Sequence, residues 1–238
     1  MAHYHIAGLT VEMTPRYELL KRRAAPFATS ATPPDLTLQL DDAYLAQKQQ
    51  ENPQNSAEQT EYMWIGAALA GKLWRFDAMT IHASAISVDD RAYLFSADSG
   101  VGKSTHTRMW LEQFGDRAFL INDDKPIVRL EQDGFFVYGS PFSGHCDENR
   151  QTRVKLGAIL FMRRAECDVA TTLDAATAIQ HLIRQSGISR NPKAAAAKLH
   201  LLDRLIQTVP IGELGCTMNP SAVDTAYQWI KGESVHED

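Results

Sequence analysis

The sequence predicts an α/β fold on a mixed β-sheet, preceded by a small β-rich segment. Three observations carry that expectation. Short apolar runs of strand character alternate with stretches whose apolar residues recur at helical spacing. One such run, Tyr93-Leu94-Phe95, passes through Gly100 and Gly102 into a helical stretch over Thr105–Phe114. Another, Phe119-Leu120-Ile121, ends on Asn122-Asp123-Asp124, which places two carboxylates at the carboxyl end of a strand.

Taken in order, Tyr4–Met13 alternates loosely between apolar and polar residues and reads as a strand. Arg16–Pro34 is irregular, Asp35–Leu40 is a second strand, and the Gln/Asn-rich stretch Asp41–Asn55 is expected to be a solvated connection. Residues 1–55 are therefore assigned to an N-terminal β-rich segment packed on a core spanning 56–238. Ser56 with Gln59 forms a capping box, and Tyr62, Ile65, Leu69, Leu73 and Phe76 mark one apolar helix face. Met79–Val88 is the strand next to Tyr93–Phe95, joined to it by Asp89-Asp90. Pro126–Leu130 and Phe135–Gly139 flank Glu131-Gln132-Asp133-Gly134, a hairpin turn. The polar stretch Ser140–Lys155 then leads into the strand Leu156–Met162. Asp174–Ser186 and Pro192–Thr208 read as helices, the second with Leu199, Leu202, Leu205 and Ile206 inward. Ile211–Cys216 is a last strand, Asn219-Pro220 opens a helix through Ile230, and the tail from Gly232 is polar.

The chemistry concentrates around the glycine turn. Ala97-Asp98-Ser99-Gly100-Val101-Gly102-Lys103-Ser104 meets the phosphate-loop pattern G-x-x-x-x-G-K-[ST] at every position but the first. Glycines let backbone N–H groups curl around an anion, and the following helix N-terminus adds unpaired donors. Lys103 is suited to neutralising phosphate oxygens, and the Ser104 hydroxyl to ligating Mg²⁺. Ala97 stands where the pattern has glycine. Either the backbone there is not left-handed or the loop is distorted. Asp123 and Asp124 permit a division of labour, one holding Mg²⁺ and the other accepting a proton. Arg150 and Arg153, in the polar stretch, are candidates for stabilising the charge of the transferred group.

These residues resemble a family. His82-Ala83-Ser84, the loop Ala97–Ser104 and Asn122-Asp123-Asp124 are similar to the catalytic domain of HPr kinase/phosphorylase, itself similar to the nucleotide core of phosphoenolpyruvate carboxykinase. The close match covers roughly Thr80 to Val128. The resemblance implies a P-loop kinase core of that type, using ATP and Mg²⁺. The nucleotide site would comprise Ala97, Asp98, Ser99, Gly100, Val101, Gly102, Lys103, Ser104 and Thr105. Ser104 and Asp124 would serve the metal, Asp123 would abstract the proton, and His82 would lie near the transferring phosphate. The implied acceptor is a serine of a protein or precursor peptide. The long Arg- and Leu-rich C-terminal signature of the bifunctional enzymes is not found, so the resemblance does not extend to the phosphorylase activity or to HPr as the substrate. A nucleotide-binding regulatory module with little turnover is the alternative, and Ala97 is the feature that favours it.

Composition bounds the rest. With 238 residues and a formal net charge of −5, the chain has room for a large core and carries no basic run for nucleic acid. Cys146, Cys167 and Cys216 are too widely spaced for a zinc or disulfide framework. No signal peptide or membrane-spanning run is read, so a cytoplasmic protein without a membrane partner is expected. A homo-oligomer is allowed, and the sequence does not decide the oligomeric state.

Overall fold

The computed structural model describes residues 2–144 and 147–232. Cys146 and the tail beyond Gly232 lie outside them. The first expected strand is a hairpin of β1 (Ala2–Ile6) and β2 (Leu9–Met13). Ala7 and Gly8 turn it with φ of 53° and 75°, the doubly positive geometry that suits the twist of a two-residue hairpin. A short helix α1 (Glu18–Ala24) lies in the stretch expected to be irregular. With β3 (Ala28–Thr29) and β4 (Leu36–Leu38), the hairpin completes a four-stranded sheet in the order β3-β1-β2-β4.

The Gln/Asn-rich connection is instead a helix, α2 (Asp42–Glu51), with Asp41 capping it through Tyr44 N–H at 2.6 Å. Only Leu45 of α2 is buried, which is why its polar composition hid it. The capping box of α3 (Ala57–Ala70) forms as expected: Ser56 and Gln59 each satisfy the other's N–H. Buried Leu20, Phe27 and Leu38 of the N-terminal segment share a core with Ile65, Leu69, Ile127 and Phe136. The small sheet is thereby packed on the large one.

The large sheet contains β5 (Ala78–Thr80), β6 (Ser84–Val88), β7 (Arg91–Ser96), β8 (Ala118–Asn122), β9 (Ile127–Glu131), β10 (Gly134–Tyr138) and β11 (Arg153–Arg164). Their order is β5-β9-β10-β11-β7-β6-β8. The expected strand Met79–Val88 is therefore broken over residues 81–83 into β5, which pairs with β9, and β6, which pairs with β7 and β8, and the sheet curls so that its two ends approach. β12 (Val169–Thr172) pairs with β13 (Ile211–Cys216), which runs parallel to the far half of β11. The helix α4 (Lys103–Phe114) follows β7, α5 (Ala175–Ser186) and α6 (Pro192–Thr208) precede β13, and α7 (Ser221–Lys231) follows it. In α6, Leu199 is 42% exposed and the inner face is Ala194, Leu201, Leu202 and Leu205, a small rotation from the expected stripe.

Strand alternation assigns the layers. Ala92 and Leu94 of β7 join the core under α5 and α6, whereas Tyr93 and Phe95 join Trp110 of α4 and Val223 of α7. Strand direction decides which loops can meet. β7 runs antiparallel to β6, and β6 antiparallel to β8. The carboxyl ends of β7 and β8 thus lie on one sheet edge, with the start of β6 between them.

Beneath that edge His106 is buried against Phe95, and Trp110 Nε1–H donates to its Nε2 at 2.9 Å. Its Nδ1 has no partner among the described residues. Burial pushes this imidazole down to about 4 from its usual 6.5. Between those values the unfolded chain binds a proton that the folded one refuses. Stability therefore falls as pH drops through that window, by about 3 kcal/mol in total. His106→Gln keeps an acceptor for Trp110 and should flatten this part of a urea-unfolding pH profile. An undiminished slope would contradict the buried neutral imidazole.

Candidate active site

The loop after β7 is built by two glycines. Gly100 and Gly102 adopt φ of 82° and 121°, and a Cβ on Gly102 would stand 2.3 Å from Met218 Cε. Ala97 keeps a negative φ and is buried in the core beside Phe95 and Trp110. Of the two expectations for Ala97, the backbone is simply not left-handed there. Helix α4 starts at Lys103 with Gly102 as its N-cap, which supplies no side-chain acceptor. The N–H groups of Lys103, Ser104 and Thr105 therefore have no intrahelical partner and open onto the loop.

Lys103 is only 9% exposed, and its Nζ donates to the Ala97 carbonyl at 2.9 Å and the Asp98 carbonyl at 3.3 Å. Burial lowers its pKa from the usual lysine value, and the charge of Asp124, then that of Asp123 and Asp98, only partly offsets this. A desolvated ammonium folded onto carbonyl oxygens is matched to an incoming anion.

The two carboxylates face different neighbours. Asp123 Oδ1 accepts from Ser84 Oγ at 2.6 Å, and Ser84 Oγ lies 2.6 Å from Thr107 Oγ1 on α4. Thr107 also reaches the Lys103 carbonyl at 2.6 Å, so β6, β8 and α4 are tied together under the loop. Asp124 Oδ1 lies 2.8 Å from His82 Nδ1 and 3.0 Å from Lys125 Nζ, while Lys125 Nζ lies 2.8 Å from the same His82 nitrogen. The edges of this triangle cannot all be hydrogen bonds at once. A protonated Nδ1 donates to Asp124, and an unprotonated one accepts from Lys125. Burial pushes the Asp124 carboxyl up, but its hydrogen bonds to His82 and Lys125 and their charges outweigh that and hold it below the usual range.

Buried Asn122 shapes the turn. Its Oδ1 accepts from Asp124 N–H at 3.0 Å and Lys125 N–H at 2.7 Å, and its Nδ2 reaches the Ser140 carbonyl at 3.2 Å. Ser96 Oγ donates to the His82 carbonyl at 2.7 Å and joins the end of β7 to that histidine. The structure thus brings His82, Lys103, Ser104, Asp123, Asp124 and the whole loop to one edge.

It does not bring Arg150 or Arg153 there. Arg153 opens β11, two residues before Lys155, which pairs with Arg91 at the far end of β7 from the loop. It bonds Glu131 at 2.7 Å and lies 3.5 Å from the Phe136 ring centre. Arg150 stacks on Phe119, 4.6 Å from its ring centre. Among the described residues, neither bonds Lys103, Asp123 or Asp124. The cations at the loop are instead Lys125 and Arg184, the latter donating to Asp98 Oδ2 at 2.6 Å from the end of α5. Sequence reading missed both. Lys125 directly follows the carboxylate pair but matches no position of the loop pattern, and Arg184 is adjacent only through the fold.

Ser104 and the two carboxylates offer hard oxygens suited to Mg²⁺, which keeps several waters and needs only one or two carboxylates when phosphates complete its shell. No cluster of three or more His, Cys, Asp or Glu ligands occurs among the described residues. No helix among them is long and apolar enough to cross a membrane. No family model matches the chain, and no curated protein shows significant similarity to it.

Because Ala97 has negative φ and a buried methyl group, Ala97→Gly should lower unfolding free energy by roughly 0.5–1 kcal/mol in urea titration. A gain in stability would mean that the alanine is strained.

Proposed function

We propose that this protein is a Mg²⁺- and ATP-dependent phosphotransferase that moves a γ-phosphate to a hydroxyl, as its resemblance to the HPr kinase and phosphoenolpyruvate carboxykinase cores implies. The observation that carries the reading is the meeting of Lys103, His82, Asp123 and Asp124 at one sheet edge beside a glycine-built loop. The open N–H groups at the start of α4 and the Lys103 ammonium hold the phosphates. Bound Mg²⁺ supplies charge neutralisation across the phosphate oxygens. Lys125 and Arg184 are the cations placed to meet charge on the transferred group, in the role expected for Arg150 and Arg153. The acceptor is a serine of a protein or precursor peptide.

The geometry favours reversing the expected roles of the carboxylates. Asp123 is turned toward α4, whose first turn carries Ser104, through Ser84 and Thr107. Asp124 lines a cavity with Lys125 and Ser140, where an acceptor can enter. Asp123 with Ser104 is therefore the metal side, and Asp124, held by His82 and Lys125, takes the hydroxyl proton. The regulatory alternative drew on Ala97, and its negative φ removes that support.

Acceptor-dependent conversion of ATP to ADP tests the reading. Lys103→Ala should abolish transfer and sharply weaken ATP binding in calorimetric titration, and wild-type affinity would refute the loop's role. Asp123→Asn should raise the Mg²⁺ requirement and keep some rate at saturating metal. Asp124→Asn should keep nucleotide binding and lose about two to four orders of magnitude in transfer. Exchanged phenotypes would restore the expected roles, and full activity in both variants would remove the pair from the site.

A further inference from the structure

Asp124 and Lys125 line a cavity of about 360 Å³ whose other walls include Tyr62, Gly66 and Ala70 of α3 and Phe142. A second cavity of about 250 Å³ shares Ala70 and Thr80 with it, and continues past Trp74 and Ile188 to Lys198 on α6. Sharing those two residues, the cavities are read together as one groove that starts at the edge carrying Asp124. From Tyr62 to Ala70 its wall follows α3 for roughly 12 Å, at 1.5 Å per residue. That is the reach of about four residues of extended chain.

The floor of the groove is the edge strand β5, which pairs only with β9 among the described residues. Leu130 N–H bonds the Asp77 carbonyl, Ile81 N–H the Pro126 carbonyl and Ala83 N–H the Asp124 carbonyl. Odd-numbered residues of this stretch therefore face β9, and Ala78, Thr80 and His82 turn their N–H and C=O groups outward. The outward N–H of His82 is taken by the Gln185 carbonyl at 2.9 Å. Ala78 is only 2% exposed, whereas Thr80, which lines both cavities, is half-buried and has no outward backbone partner among the described residues.

At the end of the groove, Lys198 Nζ donates to the Ser186 carbonyl and pairs with no carboxylate among the described residues. Burial lowers its pKa to about 8. A half-buried ammonium without a counter-charge, on the wall of an open groove, is complementary to an anion.

We propose that the acceptor is an extended acidic peptide that lies in this groove and pairs its main chain with the edge of β5 at Thr80. Its serine hydroxyl lies at Asp124, apolar side chains lie along α3, and a carboxylate side chain lies on Lys198. Strand addition draws affinity from main-chain bonds and specificity from pockets for alternate side chains. This inference rests on the phosphotransferase reading, which supplies the role of Asp124.

The test uses fluorescent synthetic peptides, each with one serine, apolar neighbours and a glutamate whose distance from the serine is stepped by single residues. Binding is read by anisotropy without nucleotide, so it does not depend on transfer. One glutamate spacing should bind best. Replacing that glutamate with lysine, or Lys198→Met in the protein, should weaken binding about tenfold or more, the worth of a charge-assisted bond. Lys198→Arg should restore most of it. N-methylation at the peptide residue that pairs with Thr80 should abolish binding, and N-methylation at its immediate neighbours should not. The proposal is overturned by equal binding at all spacings, by indifference to Lys198→Met, by tolerance of N-methylation at every position, or by no peptide binding at all. Any of these alongside ATP binding that requires Lys103 overturns the peptide groove alone. Peptide binding of the predicted pattern without ATP binding would overturn the phosphotransferase reading instead.

Discussion

β6 lies antiparallel between β7 and β8, and the site depends on that one constraint. It turns the carboxyl ends of β7 and β8 to the same edge and sets the residues that begin β6 between them. A glycine loop, a carboxylate pair and a histidine from three strands then meet without any one segment supplying them all. The bond from Ser84 to Asp123, with Thr107 behind it, extends the constraint into the first turns of α4. The position of Asp123 is therefore set by the same contacts that seat the helix under the loop.

Charge at this edge is arranged around burial. Lys103 is desolvated and held by carbonyl oxygens rather than by a carboxylate, so its charge is available to an anionic ligand. Asp124 is also desolvated, but its contacts with His82 and Lys125 hold it ionised. The two sides of the edge thus differ, one carrying a desolvated ammonium and the other a carboxylate held ionised. The cavity that opens beside Asp124 lies on the second side.

What was legible in the sequence was local. Ser56 and Gln59 form their capping box within one turn, and Gly134 takes the φ of 115° that its hairpin needs. The loop from Ala97 to Ser104 and the Asn122-Asp123-Asp124 turn were readable because strand, turn and helix chemistry all lie within a few residues. Where the reading failed, the deciding contacts were distant or the pattern was weak. Helix α2 buries a single leucine, so its sequence carries almost no periodic signal. Arg153 sits in a strand whose parallel register with β7 carries it to the far end of the sheet. Arg184 reaches Asp98 across 86 positions, a contact that no local pattern encodes.

Hydrogen exchange with and without excess Mg·ATP tests the central claim most directly, because it reads the loop amides themselves. Nucleotide bound at the loop should slow exchange over Ser99–Thr105 and at the Asn122–Lys125 turn, with β12 unchanged. Unaltered exchange over Ser99–Thr105 in excess nucleotide would contradict it.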